Sequence, residues 1–268
     1  MQAIKTERIS VGTGDKTREI AVEYRSGKNL GQNPGPNPGI VWLGGYRSDM
    51  GGTKAAMLDK WAAEQGNACC RHDYSGHGDS GGKFSDGTIS RWLEESLAVF
   101  DAKCAGPQIL VGSSMGAWIA LRMVQKLVMR GETDRLHALL LIAPAPDFTH
   151  ELMLPNLTDK QRTQLDEQGY MEEPSGYSDD PNIFTKAIFD DGDKNRVMTG
   201  TIETHCPVHI IQGMQDPDVP YQHALKLVNF LPSEQVTMTL VKDGDHRLSR
   251  DEDIELILRI TAQLSKAQ

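Results

Sequence analysis

At 268 residues the chain can bury roughly three quarters of its unfolded surface in one core, so a single large domain is as admissible as two small ones. Its composition is that of an ordinary globular protein, 38% hydrophobic and 24% charged, with no low-complexity tract beyond one Asn/Pro/Gly loop. With 37 acidic against 28 basic side chains the net charge is −9. The basic residues are scattered, which argues against nucleic acid as a partner, because phosphate binding needs concentrated positive charge.

The opening residues, MQAIKTERIS, lack the apolar core of a secretory signal, and no apolar run approaches the ~18 residues of a membrane span. The expected location is the cytoplasm. Cys69, Cys70, Cys104 and Cys206 include an adjacent pair and no C-x-x-C, which suits reduced thiols better than a disulfide framework or a zinc knuckle.

In chain order, Ile4–Val11 and Glu19–Tyr24 alternate apolar and polar residues around Gly12-Thr-Gly-Asp15 and read as a hairpin. The Gly/Pro-rich loop Leu30–Gly39 follows, and then short apolar strands alternate with amphipathic helices. The expected strands are Ile40–Leu43, Ala68–His72, Gln108–Val111 and Ala138–Ile142; the expected helices are Thr53–Gln65, Thr88–Ala102 and Ser114–Met129. From Pro144 to about Thr204 the rhythm breaks into a segment rich in Asp, Glu, Pro and Gly, too long for a plain loop and too short for its own core. It reads as a lid. The alternation resumes with strand Val208–Ile211, helix Tyr221–Phe230, strand Val236–Val241 and helix Asp251–Lys266. The expectation is one α/β domain over 1–268, with core 1–144 and 205–268 and a lid over about 145–204. Its sheet has eight strands, is mostly parallel and carries helices on both faces.

Gly112-Ser-Ser-Met-Gly116 fits G-x-S-x-G once, with Ser114 at the centre; centring on Ser113 would put Val111 and Met115 where glycine is wanted. A strand turning sharply into a helix strains the central residue, and only small neighbours two residues away escape collision. The turn lifts the Ser114 hydroxyl above the sheet and aims the Met115 N–H, at a helix start, toward a developing oxyanion. The motif alone fits a glycine-rich turn equally well, so it needs partners. A serine hydroxyl requires a histidine to take its proton and a carboxylate to hold that histidine. Asp216, in Gly213–Pro220, and His246, in Asp243–Arg247, follow later strands in the order serine, acid, histidine. Asp218 competes for the role of acid; Asp216 stands nearer the strand end, leaving Asp218 to cap the next helix. Asp245 reads as a turn former. The second oxyanion donor is expected from Trp42–Ser48, with the Tyr46 N–H as candidate. Beside it, Arg47 is a candidate for a substrate carboxylate, against the plain reading of an exposed loop arginine.

These residues resemble the α/β-hydrolase superfamily along the whole chain, through Leu43–Met50, Asp73–Ser80, Gly112–Gly116, Gly213–Pro220 and Gly244–Arg247. More narrowly the chain is similar to the small-lid subfamily that contains a mitochondrial palmitoyl-protein thioesterase and acyl-glucuronide esterase. Gly45-Tyr46 with Ser48 and Met50, Pro107–Ser114 and Asp245–Arg247 carry that likeness. The resemblance implies an α/β-hydrolase fold, with Ser114 as nucleophile, Asp216 as acid and His246 as base. It further implies hydrolysis of acyl esters or thioesters without a cofactor, on small molecules or an acylated protein. Two other readings stand beside it: a peptidase on the same scaffold, and a binding protein that kept the fold without the chemistry.

Three further stretches of the sequence carry no catalytic or metal-binding expectation. Asp191-Gly-Asp193-Lys-Asn195 hints at a calcium loop, but Arg196 holds the position of the required glycine and Ile202 that of the glutamate, so a solvated lid turn is expected. His205, Cys206 and His209 lack a fourth ligand, and no metal is expected there. His77 is expected to brace a loop rather than act as a base.

Overall fold

The computed structural model describes residues 6–27, 37–174, 181–232 and 234–266. Most of the Gly/Pro loop and the first two residues of the expected opening strand lie outside them. Strands β1 (Glu7–Val11), β2 (Arg18–Arg25), β3 (Gly39–Leu43), β4 (Cys69–His72), β5 (Gln108–Ser113), β6 (Leu136–Ile142), β9 (Val208–Gly213) and β10 (Val236–Val241) form one eight-stranded sheet in the order β1-β2-β4-β3-β5-β6-β9-β10. β1 pairs antiparallel with β2 and β2 with β4; every other pairing is parallel. This is the α/β-hydrolase architecture expected above.

Strand periodicity sorts the core into two layers, because successive side chains point to opposite faces. Val41, Leu43, Leu110, Leu139 and Leu141 face α2 (Ile89–Lys103) and α3 (Met115–Arg130). Ile40, Trp42, Ile109, Val111, Leu140 and Ile142 face α1 (Thr53–Gln65) and α7 (Asp251–Leu264). Strands buried on both sides must be apolar throughout, which is why these runs lack polar alternation. α6 (Tyr221–Val228) stops earlier than the sequence suggests: Phe230 N–H bonds the Leu227 carbonyl in a tighter turn, and Pro232 follows.

Between β6 and β9 the chain forms α4 (Asp159–Glu167), a two-stranded antiparallel sheet of β7 (Tyr170–Glu173) and β8 (Asn182–Thr185), and α5 (Lys186–Lys194). Thr158 and Gln161 cap α4 reciprocally, and the Thr185 hydroxyl caps α5. The buried Asp147 carboxylate accepts the amides of Val197 and Met198 at 2.8 and 2.9 Å, closing the two ends of this segment on each other. The run Asp191–Asn195, expected as a solvated turn, is instead the last turn of α5 and its C-cap. Asp191 accepts the Ser90 amide at the start of α2, and buried Asn195 bonds Ser90 and Asp191. No helix among the described residues is long and apolar enough to cross a membrane.

Candidate active site

Ser114 stands between β5 and α3 with φ +53° and ψ −118°, a conformation that non-glycine residues rarely adopt. Its surroundings hold it there. Its N–H bonds the Ile142 carbonyl of β6 at 2.9 Å, and its own carbonyl accepts from Ala117 and Ala145. A Cβ on Gly116 would lie 2.0 Å from the Leu43 carbonyl oxygen, and one on Gly112 would lie 2.5 Å from that of Gly116. The G-x-S-x-G spacing is therefore a packing requirement. Ser114 makes no side-chain cap to α3, so its hydroxyl is left for another partner. Ser113 ends β5 and lines the same cavity.

That partner is His246. Its Nε2 lies 3.1 Å from Ser114 Oγ, and its Nδ1 lies 2.8 Å from Asp216 Oδ2. Asp216 is buried; its Oδ1 accepts the amides of Asp218 and Val219, and its Oδ2 also accepts from Gln212 Nε2 at 3.1 Å. Asp218 does not cap α6, whose N-cap is Pro220 without a side-chain bond. Asp245 accepts the Leu248 amide and shapes the histidine loop. Lys54 donates to the Arg247 carbonyl and to Ser249 Oγ, anchoring that loop from α1. Burial lowers its ammonium to about 8.

Gln212 and Lys54 were not singled out from sequence. Gln212 was visible as a polar residue in an otherwise buried strand end, four residues before Asp216. Lys54 lies on α1, far from His246 along the chain, and had no local signal.

The loop after β3 closes over the elbow: a Cβ on Gly45 would meet Ser114 Cβ and the Ser113 carbonyl oxygen at 3.4 Å. Gly45, Tyr46 and Met115 all border the cavity beside Ser114. The Met115 N–H, in the first turn of α3, has no carbonyl one helical turn earlier to serve it. The Tyr46 ring stacks on Phe184 of β8 at 4.9 Å, and its hydroxyl donates to the Ile183 carbonyl at 2.5 Å; burial pushes the phenol up. Arg47 is not a free loop arginine. Its guanidinium donates to the Pro181 carbonyl and Asn182 Oδ1, and its N–H is accepted by His77 Nε2 at 3.1 Å.

The cavity over Ser114 has a volume of about 920 Å³. The segment between β6 and β9 supplies apolar wall (Phe148, Leu152, Met153, Leu157, Met171, Phe184), while the loops from the sheet supply Arg47, Asp49 and Arg247 and the start of α1 supplies Lys54. Phe189 of α5 does not reach the cavity and is buried in the core. Among the described residues, one group of three His, Cys, Asp or Glu has ligand atoms within 4.8 Å of one another: Asp216, Asp218 and His246. Its imidazole Nδ1 already faces Asp216. His209 bonds Thr237 and Thr239.

The chain belongs to the alpha/beta hydrolase family, whose profile it matches over residues 40–257; the family expected from the five motifs is the family found. Within that class it is similar to palmitoyl-protein thioesterase ABHD10, mitochondrial. The mouse protein is 34% identical over 231 residues, covering 84% of this chain and 74% of that protein; the human one is 32% identical over 225 residues, covering 84% and 72%. Among solved structures, one described as "Putative hydrolase from Agrobacterium vitis S4" superposes with a TM-score of 0.94 at 54% identity, covering 99% of this chain and 100% of that one. Mouse alpha/beta hydrolase domain-containing protein 10 superposes with a TM-score of 0.81 at 28% identity, covering 97% and 98%.

Proposed function

We propose that this protein is a serine hydrolase that cleaves carboxylic esters or thioesters through an acyl-enzyme. The observation that carries the reading is the chain Ser114 Oγ, His246 Nε2, His246 Nδ1, Asp216 Oδ2, with contacts of 3.1 and 2.8 Å, built on a serine held at φ +53°. His246 takes the Ser114 proton as Oγ attacks the carbonyl carbon. Asp216 fixes the tautomer that leaves Nε2 free to accept and stabilises the imidazolium that results. The amides of Met115 and Tyr46 receive the oxyanion. The tetrahedral adduct collapses, and His246 returns the proton to the departing alkoxide or thiolate. Water, deprotonated by His246, then attacks the acyl-serine; the acid leaves and Ser114 recovers its proton.

The substrate class draws support from the apolar cavity wall, which suits an acyl chain, and from relatives named as palmitoyl-protein thioesterases. The same wall supports reading residues 145–204 as a lid on a single domain. Arg47 binds substrate through its place on the cavity rim. Four buried thiols without a disulfide suit a reducing compartment such as the cytoplasm.

A fluorophosphonate probe tests the reading. Wild type and Ser113→Ala should be labelled and Ser114→Ala should not. A wild type that takes no label overturns it.

A further inference from the structure

The turn Asp73–Ser80 lies against the loop that carries Tyr46, and the serine-histidine chemistry makes no direct use of it. Two of its acceptors engage two amides of that loop. Asp73 Oδ1 takes the Met50 N–H at 2.6 Å, and His77 Nε2 takes the Arg47 N–H at 3.1 Å. Arg47 sits at φ +58°, a backbone state that a side-chain-bearing residue holds only when its surroundings impose it. The peptide unit between Tyr46 and Arg47 adjoins the one that carries the Tyr46 N–H, the oxyanion donor of the proposed mechanism, so fixing the first orients the second.

His77 is built for this contact. A backbone N–H can be accepted only by an unprotonated ring nitrogen, and the Ser75 carbonyl, 3.3 Å from Nδ1, can only accept. Both neighbours therefore demand the neutral ring with its proton on Nδ1. Tyr74, Phe84 and Trp92 box the imidazole edge-on at centroid distances of 5.6, 5.1 and 5.3 Å. Burial lowers its protonation to about 4, which keeps the lone pair available. The turn cannot be rebuilt with larger residues, since a Cβ on Gly76 would lie 2.5 Å from the Phe84 backbone and one on Gly78 2.1 Å from the Asp73 carboxylate.

We propose that His77 is a positioning residue for the oxyanion site: its Nε2, bonded to the Arg47 N–H, holds the Gly45–Arg47 backbone in the conformation that presents the Tyr46 amide to the substrate carbonyl. The proposal rests on the serine-hydrolase reading.

The test compares wild type, His77→Phe, which keeps an aromatic ring and loses the acceptor, and His77→Gln, whose carboxamide oxygen can accept the Arg47 N–H. Kinetics on a p-nitrophenyl ester are read beside inhibition by a trifluoromethyl ketone, whose serine adduct places an oxyanion in the same site. Outright loss of an oxyanion donor costs about a hundred- to a thousandfold in kcat, so its displacement in His77→Phe should cost about 10- to 100-fold with KM within about threefold. Ketone affinity should fall by the same factor, and His77→Gln should recover most of the loss. Unchanged kcat in His77→Phe, or a fall in kcat with ketone affinity intact, overturns the proposal. If His77→Phe does not fold, ¹⁵N spectra of the wild-type ring decide: a proton on Nδ1 supports the proposal and one on Nε2 overturns it. A wild type inert to fluorophosphonate overturns the hydrolase reading and this inference together, whereas the other negative results leave that reading standing.

Discussion

The carboxylate of Asp216 lies 2.8 Å from Nδ1 of His246, and its other oxygen holds the amide of Asp218 at 2.9 Å. Of the two acids in this loop, one meets the imidazole and fixes the backbone of the other. Asp216→Asn should lower kcat about a thousand- to ten-thousandfold, because a carboxamide offers a donor to Nδ1 and selects the wrong tautomer. Asp218→Asn should stay within about tenfold of wild type, a loss smaller than that of Asp216→Asn. Steady-state kinetics of both variants on one ester check the assignment, and a reversal of the two effects refutes it.

Gly116 faces the Leu43 and Gly44 carbonyl oxygens, which a Cβ would approach to 2.0 and 2.6 Å. Both are backbone atoms that cannot rotate away. Gly116→Ala should destabilise by about 3 kcal/mol or more, the upper range for overpacking, which in a domain of this size lowers Tm by roughly 6–12 °C. Calorimetry on the folded variant measures it; a shift below 2 °C, in order-of-magnitude terms, would contradict the geometry.

Acid should unfold the protein before most of its carboxylates titrate. Burial lowers both His72 and His77 to about 4 from the usual 6.5. The unfolded chain therefore binds more protons than the folded one between those values. The stability from these rings is complete above about pH 6.5 and is lost as pH falls toward 4. Two such rings give a slope of about 3 kcal/mol per pH unit near the middle of that window. His72 Nε2 meets Ser96 Oγ at 3.1 Å, whose own proton goes to the Trp92 carbonyl, so the ring donates there. His72→Gln keeps a donor and should reduce the slope by about 1.4 kcal/mol per pH unit, one ring's share, which denaturant melts at several pH values would show; an unchanged slope excludes the account.

Met153 lines the cavity from the segment between β6 and β9. Met153→Trp should shorten the usable volume and turn the ester preference toward short acyl chains. A shift of about tenfold in the ratio of kcat/KM for butyrate over palmitate esters corresponds to one or two methylenes of lost contact. An unmoved ratio places the acyl chain elsewhere.

The parallel strands and their helices were legible because burial on both faces leaves an apolar run that few other structures require. Ser114, Asp216 and His246 could be picked out as candidates because each lies in the turn that follows a parallel strand. Asp191–Asn195 was misread for a specific reason: its polar residues look solvated, yet Asp191 and Asn195 spend their polar atoms on Ser90 and on one another across a helix junction. The expected capping role of Asp218 failed likewise, because a side chain's direction in an irregular segment depends on packing that periodicity does not encode. Gln212 behind Asp216, and Lys54 on the Arg247 carbonyl, are contacts between distant stretches with no local pattern.

The Asp147 clasp on Val197 and Met198 has a consequence for how such a scaffold can change. A segment fastened at its own neck can be lengthened or replaced at slowly growing entropic cost, without altering the register of β6 against β9. The segment so fastened is still part of the framework, because Phe189 is buried in the shared core and Asn195 bonds Ser90 and Trp118; a replacement 148–196 segment has to keep those anchors while its cavity-facing positions vary.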